Sequence, residues 1–177
     1  MLKFVVAFTL FASLLSGDSF SLVSDTLKGQ MGKKEEYNGL GCNGENRSPE
    51  LHWSGAPKGT RSFALTLFDP DAPTGSGWWH WIIVNIPPNV TEIPEDASGK
   101  HQLPKGAIET ITNFGKSGFG GPCPPRGDMA HSYVFTLYAL DTDKLDVNEK
   151  TDSSSVKFLI GQHVLDKSIL ISHYKRK

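Results

Sequence analysis

Three apolar segments, separated by long stretches rich in glycine and proline, most constrain what this chain can fold into. They are SFALTLFD (62–69), HWIIVNI (80–86) and SYVFTLYAL (132–140). In the first, Phe63, Leu65 and Leu67 share one face of an extended chain, and the other face is also largely apolar. Strands with two apolar faces are typical of the buried middle of a sheet. The long irregular connections then favour a β-sandwich over a doubly wound sheet.

The rest of the chain predicts smaller elements. FSLVSD (20–25) and LHWSG (51–55) have the composition of short strands, and residues 28–50 form a polar loop with room for one edge strand. Residues 101–131 include GFGGPCPPRGDMAH, which holds too many glycines and prolines for regular structure. We expect this long loop to be functional, because long ordered loops in compact domains usually are.

The C-terminal third predicts one helix. Apolar residues recur at helical spacing from Val156 to Val164, and Asp152 or Ser153 precedes them as a candidate N-cap. Gly161 lowers the helix propensity of this segment. SILISHY follows as a last strand or an extended tail.

The N terminus has the pattern of a secretory signal peptide, residues 1–19. Its apolar stretch, Phe4–Leu15, is about a dozen residues long and too short to span a membrane. Small residues then allow cleavage after Ser19 or after Gly17, and an uncleaved anchor is the alternative. We expect a single domain, residues 20–177, that is periplasmic or secreted and has no transmembrane segment after signal removal.

Charge and cysteine content narrow the classes of partner. The formal net charge is -1, with acidic and basic residues interspersed, so no basic face for nucleic acid is indicated. The two cysteines, Cys42 and Cys123, favour a disulfide in an exported chain, and two buried free thiols are the alternative. Net charge does not argue against a local pocket for an anion.

Chemically active side chains lie at the ends of all three apolar segments. Asp69 and Asp71 end the first segment, His80 begins the second, and His131 and Tyr133 lead into the third. Taken singly, each has an ordinary structural role, since aspartate before proline is a common turn former. If the three strands are neighbours, however, these groups converge at one end of the sandwich. The sequence therefore predicts a polar site there.

Three long motifs resemble the phosphatidylethanolamine-binding protein family, also called Raf kinase inhibitor proteins. They are SPELHWSGAPKGTRSFALT, LTLFDPDAPTGSGWWHWIIVNIP and GPCPPRGDMAHSYVFTLYAL. The chain most resembles the bacterial YbhB/YbcL-type branch, whose exported members carry a signal sequence, and the likeness covers about residues 20–170. It implies an antiparallel β-sandwich with a few peripheral helices, including one near the C terminus.

The resemblance also implies a small pocket that accepts an anion such as phosphate, acetate or a phosphoethanolamine head group. The positions that match the family's motifs there are Asp69, Asp71, His80, Gly121, Pro122, Cys123, Pro124, His131 and Tyr133. The chain departs from eukaryotic members in several places. Trp79 precedes His80 where those members often have two consecutive histidines, and the C-terminal helix matches poorly. Kinase inhibition is therefore not carried over.

These observations leave three functions open. The first is a non-enzymatic protein that binds a small anionic or phosphorylated ligand without a cofactor or metal. Whether it modulates a kinase, protease or host signalling protein is left open. The second is a hydrolase in which two histidines and an aspartate hold a metal or transfer protons, although no HExxH or GxSxG motif is present. The third is an inhibitor whose loops 28–50 and 101–131 contact a target protein. A homodimer is also open, because exposed sandwich surfaces can pair.

Overall fold

The computed structural model describes residues 19–176 and shows a mostly β architecture. Apart from Ser19, the predicted signal peptide lies outside the described residues. In chain order the elements are β1 (Ser21–Val23), β2 (Asn38–Gly39), β3 (Cys42–Asn43), β4 (Leu51–Ser54), β5 (Ser62–Asp69), β6 (Trp78–Ile86), β7 (Glu92–Ile93), β8 (Ile108–Glu109), β9 (His131–Leu140), α1 (Ser153–His163) and β10 (Val164–Tyr174). None of the helical structure in this described range is long and apolar enough to cross a membrane.

Five strands form the largest sheet, in the order β10-β9-β5-β6-β8, and every neighbouring pair is antiparallel. A three-stranded sheet, β1-β4-β7, packs on one face of it through a shared apolar core, and β2 and β3 form a separate hairpin. The predicted antiparallel sandwich with a helix near the C terminus is therefore confirmed. That helix is the single one in the part of the chain that the structure describes.

The central position of β5 follows from its two apolar faces. Phe63, Leu65 and Leu67 point into the core between the two sheets. Ala64 points to the other side, where it packs in a second cluster with Ile82 and the helix. Burial of one large apolar side chain contributes roughly 1.5–3 kcal/mol, so each of these residues adds to the stability of the sheet.

Two of the long loops contain more pairing than their composition predicts. In the 101–131 stretch, Ile108 and Glu109 pair with Val84 and Ile83, so the expectation of no regular structure is wrong there. The pairing falls in the β-branched part of the stretch, ahead of its glycine- and proline-rich part. The loop of residues 28–50 has two short strands rather than one.

A β-bulge interrupts the pairing of β5 with β6 at His80. Leu67 pairs with Trp81, but Phe68 pairs with Trp79, so β6 carries one extra residue. Strict alternation along β6 would place His80 on the face of Ile82, towards the helix. A bulge re-aims a side chain, and the His80 ring instead lies 5.2 Å from that of Tyr133, on the core side.

Helix α1 begins at the predicted cap. Asp152 Oδ1 accepts hydrogen bonds from the backbone N–H groups of Ser154 and Ser155, each at 3.0 Å. Val156 and Ile160 are buried against the outer face of the five-stranded sheet. The chain then turns directly into β10, which begins at Val164 and so includes the predicted SILISHY segment.

The two long loops are held together where Gly121 passes Glu35. A Cβ on Gly121 would overlap the carbonyl oxygen of Glu35. The Gly121 N–H donates to Asn46 Oδ1 at 2.8 Å, and the Tyr37 N–H donates to the Pro122 carbonyl at 3.1 Å. A side chain at position 121 would therefore separate the loops.

We expect Gly121→Ala to lower the free energy of unfolding by about 3 kcal/mol, because the backbone must move to relieve the overlap. Gly161→Ala is the matched control. A Cβ at Gly161 meets no atom within 4 Å, and alanine is favoured over glycine in a helix by about 1 kcal/mol. Chemical denaturation of both variants measures the difference, and equal stabilities would contradict the close approach at Gly121.

Candidate functional site

A small cavity opens where the ends of three strands meet. Asp69 ends β5, and β6 and β9 begin beside it, because β5 pairs antiparallel with both. The cavity has a volume of about 180 Å³. The predicted site residues that line it are Asp69, His80, Cys123, Pro124, His131 and Tyr133. The structure thus brings together side chains that the sequence places at three separate strand ends.

Asp69 connects the strand ends to the turn that follows β5. Its side chain is almost wholly buried. Oδ2 accepts a hydrogen bond from His131 Nδ1 at 2.8 Å, and Oδ1 accepts one from the Asp71 N–H at 2.8 Å. Each carboxylate oxygen therefore has a partner, as a buried charge requires.

His131 is held in one orientation by this bond. An ionised carboxylate only accepts hydrogen bonds, so the bond to Asp69 assigns a proton to Nδ1. The other ring nitrogen, Nε2, lies 3.6 Å from Oδ2 of Asp128, whose side chain is largely exposed. Nε2 accepts a hydrogen bond when the ring is neutral and donates one when the ring is protonated.

The His80 ring contacts a backbone carbonyl, whereas that of His131 contacts a carboxylate. His80 is buried, and its Nδ1 lies 2.7 Å from the carbonyl oxygen of Gly120. Burial lowers the pKa of His80 to about 4, and the opposing effects of the Gly120 carbonyl and of Asp69 are smaller. The Asp69 charge by itself would raise the pKa of His80, but desolvation dominates. A neutral ring that donates Nδ1–H leaves Nε2 as an acceptor.

Tyr133 supplies a buried hydroxyl. The side chain lies in the core, and its hydroxyl has no hydrogen-bond partner among the described residues. Burial raises the pKa of Tyr133, and the Asp69 carboxylate raises it further, through its negative charge and as a nearby acceptor outside normal hydrogen-bond geometry. The hydroxyl therefore stays protonated and can donate to a better-placed acceptor. A buried unpaired donor is costly unless something binds to it.

Three of the predicted residues do not line the cavity. Asp71 is exposed, and its Oδ2 accepts a hydrogen bond from the Ser132 N–H at 2.7 Å, which fixes the start of β9. Gly121 and Pro122 lie where the two long loops touch. These residues shape the site through the backbone rather than through contact with its interior.

Sequence reasoning missed other lining residues. They are Leu40, Ala72, Pro73, Thr74, Trp78, Phe114 and Pro125. Several of these lining residues come directly after the predicted residues of the DPD and CP motifs. This adjacency in the sequence could have indicated that they line the same cavity. Phe114 had no such signal, yet its ring lies 5.4 Å from that of His80 and 5.5 Å from that of Trp78.

The predicted disulfide closes the rim of the cavity. Cys42 and Cys123 are bonded, with their Cα atoms 6.0 Å apart. The bond joins the β2–β3 hairpin to the loop that lines the cavity. Leu40, at the tip of that hairpin, lines the mouth while remaining 73% exposed. Arg176 also donates a hydrogen bond to the Gly41 carbonyl, so the hairpin is held from two sides.

The acidic and imidazole side chains of the cavity do not surround one point. Asp69 contacts His131, whereas His80 contacts the Gly120 carbonyl. Within residues 19–176, no three His, Cys, Asp or Glu side chains are grouped so that they could hold a metal ion. What the arrangement offers chemically is one unpaired donor at Tyr133, one acceptor at His80, and one imidazole at His131 that can do either.

The buried neutral His80 predicts an acid-sensitive stability. His80 takes up a proton near pH 6.5 in the unfolded state but only near pH 4 in the folded state. Its contribution to the free energy of unfolding is therefore complete above pH 6.5 and is lost as the pH falls to 4. The expected loss over this range is about 3 kcal/mol. Urea denaturation against pH for wild type and His80→Gln measures it, with the surface variant His52→Gln as control. If the free energy of unfolding of His80→Gln fell as steeply with pH as that of wild type, the conclusion that the His80 ring is buried and neutral would be contradicted.

Removing the disulfide tests how much this bond at the rim of the cavity stabilises the fold. A bond that spans 81 residues of sequence should stabilise the fold by about 4 kcal/mol in the chain-entropy model. We therefore expect the double variant Cys42→Ser/Cys123→Ser to unfold at markedly lower denaturant concentration than the oxidised wild type. Reduced wild type should match the double variant. A midpoint shared by oxidised and reduced protein would contradict a stabilising bond.

Comparison with known proteins gives close and long matches. The family model of the phosphatidylethanolamine-binding protein matches residues 25–175. The YbcL protein of Escherichia coli (strain K12) is 42% identical over 177 residues, covering 98% of this chain and 96% of YbcL. The YbhB protein of the same organism is 43% identical over 147 residues, covering 81% of this chain and 92% of YbhB.

Solved structures agree with the sequence matches. The crystal structure of E. coli YbcL, described as a new member of the mammalian PEBP family, superposes with a TM-score of 0.87 over 90% of this chain and 99% of YbcL, at 42% identity. A putative phosphatidylethanolamine-binding protein homologue from Chlamydia trachomatis gives a TM-score of 0.76 at 28% identity, covering 90% of this chain and 99% of the homologue. The chain therefore belongs to the phosphatidylethanolamine-binding protein family.

Proposed function

We propose that this protein is a non-enzymatic binding protein for a small oxyanion of the phosphate or phosphoethanolamine type, held in the cavity between Asp69, His80, His131 and Tyr133. The observation that carries the proposal is the Tyr133 hydroxyl, which is buried and protonated and has no partner within the described residues. A ligand oxygen that accepts from it would supply that partner.

The charges around the cavity select the kind of anion. Among the described residues, those that line it include no lysine or arginine, and Asp69 carries a negative charge. A fully deprotonated anion would therefore meet no fixed positive charge. A ligand that brings its own hydrogen, such as a phosphate monoanion or an ammonium group on the same molecule, can donate to His80 Nε2 and accept from Tyr133.

The size of the cavity supports a head group rather than a whole lipid. A volume of about 180 Å³ holds a phosphate with a short substituent, and longer parts of a ligand would leave past Leu40 at the mouth. Family membership in the phosphatidylethanolamine-binding proteins agrees with such a ligand. Inhibition of a kinase or protease forms no part of this proposal.

The same proposal places the protein outside the cytoplasm, with residues 1–19 removed as a signal peptide. The apolar N-terminal stretch has the length of a signal peptide. The disulfide between Cys42 and Cys123 suits an oxidising compartment, because the cytoplasm keeps most thiols reduced.

Calorimetric titration with inorganic phosphate and with phosphoethanolamine tests the proposal. We expect heat of binding for at least one ligand, and about 10-fold weaker binding by Tyr133→Phe, which removes one hydrogen bond to a charged group. Tyr138→Phe, on the opposite face of the same strand, is the matched control and should bind like wild type. No heat with either ligand would contradict the function, and unchanged affinity in Tyr133→Phe would contradict the location.

A further inference from the structure

A second cavity lies on the other side of the five-stranded sheet, between that sheet and α1. Its volume is about 150 Å³. Its walls include Trp79 and Ile82 from β6, Tyr138 from β9, and Val156 and Ile160 from the helix. It shares no lining residue with the cavity of the proposed function. The two sites therefore lie on opposite faces of one sheet.

The bulge in β6 separates the two cavities. Trp78 and His80 line the first cavity, whereas Trp79, between them in sequence, lines the second. The Trp79 ring is only partly buried and packs on Phe68 at a centroid distance of 4.5 Å. Its indole therefore presents a flat, rigid wall to whatever enters from the helix side.

Two side chains of this second cavity form no hydrogen bond or ion pair with any described residue. Thr66 lines the cavity, and no hydrogen bond joins its hydroxyl to any described residue. Lys157, the one charged lining residue in the described chain, lies at the exposed rim and forms no ion pair there. Both groups suit a ligand that carries acceptor oxygens.

Helix α1 leaves space over this cavity at Gly161. Glycine is poorly suited to a helix interior, and here it lines the cavity with no atom within 4 Å of where its Cβ would be. A larger residue at this position would project into the opening. The glycine thus keeps the cavity accessible at a cost in helix stability.

We propose that this second cavity is a binding site for a small aromatic carboxylate, with the ring between Trp79 and the helix and the carboxylate at Lys157. An apolar cavity of about 150 Å³ is large enough for a benzene ring. The aromatic and aliphatic walls favour a flat ring, and the positive charge of Lys157 complements a carboxylate. This site goes beyond the proposed oxyanion site and is independent of it.

Benzoate is the probe for this site, followed by NMR on the full folded chain with saturable shift changes as the readout. We expect shifts at the Trp79 indole and at the Val156 and Ile160 methyl groups, with none at Tyr133. Acetate, which lacks the ring, should produce no saturable shifts at Trp79, Val156 or Ile160. Benzyl alcohol, which lacks the charge, should bind about 2- to 5-fold more weakly than benzoate, and Lys157→Gln should weaken benzoate by the same factor.

Gly161→Leu is expected to abolish benzoate binding by filling the opening, whereas Gly161→Ala, which adds a single methyl group, should retain it. The circular dichroism spectrum and the denaturation midpoint of Gly161→Leu, compared with those of wild type, serve as a check that the variant is folded. Benzoate binding that survives Gly161→Leu, shifts that map to His131 and Tyr133, or the absence of any saturable shift in wild type would overturn the proposal.

Discussion

One extra residue in β6 determines how the site is assembled. Because the register between β5 and β6 slips at His80, Trp78 and His80 both face the first cavity while Trp79 faces the helix. Without the bulge, alternation would carry His80 away from Asp69, His131 and Tyr133. The convergence of the strand ends follows from the sheet order, but the inward position of the histidine follows from this local irregularity.

Around that bulge the polar groups divide into those that are satisfied and those that are not. Asp69 is satisfied by His131 and by the backbone of Asp71, and His80 by the carbonyl of Gly120. The Tyr133 hydroxyl has no hydrogen-bond partner within residues 19–176. The structure thus pairs its acidic and imidazole groups and leaves one donor unpaired within the described residues, which agrees with the proposed binding role.

Much of the fold could be predicted from the sequence, because hydrophobic periodicity is strong in its central strands. The segment 62–69 coincides with β5, and Asp152 is the cap of α1. The bulge could not be predicted, since alternation gives no signal for an inserted residue. The pairing of β8 was also missed, because two residues carry too little periodicity to stand out from a loop.

The polar residues of the site could be predicted from the sequence, but most of the apolar residues that line the cavity could not. Asp69, His80, His131 and Tyr133 stand out because they occur together at the ends of three separate apolar segments. Phe114 and Leu40 reach the cavity through loop geometry that depends on the disulfide and on the close approach at Gly121. Such long-range contacts are set by tertiary packing and leave no local pattern. The neutral state of His80 likewise depends on burial, which the sequence alone does not show.

The central claim is that a small protonated oxyanion or zwitterion sits between the two histidines. A crystal structure of the protein grown with phosphoethanolamine at neutral pH tests it most directly. The account predicts the phosphate group within hydrogen-bond distance of the Tyr133 hydroxyl and of Nε2 of His80 or His131. An unoccupied cavity at saturating ligand, or phosphoethanolamine bound elsewhere on the protein, would contradict it.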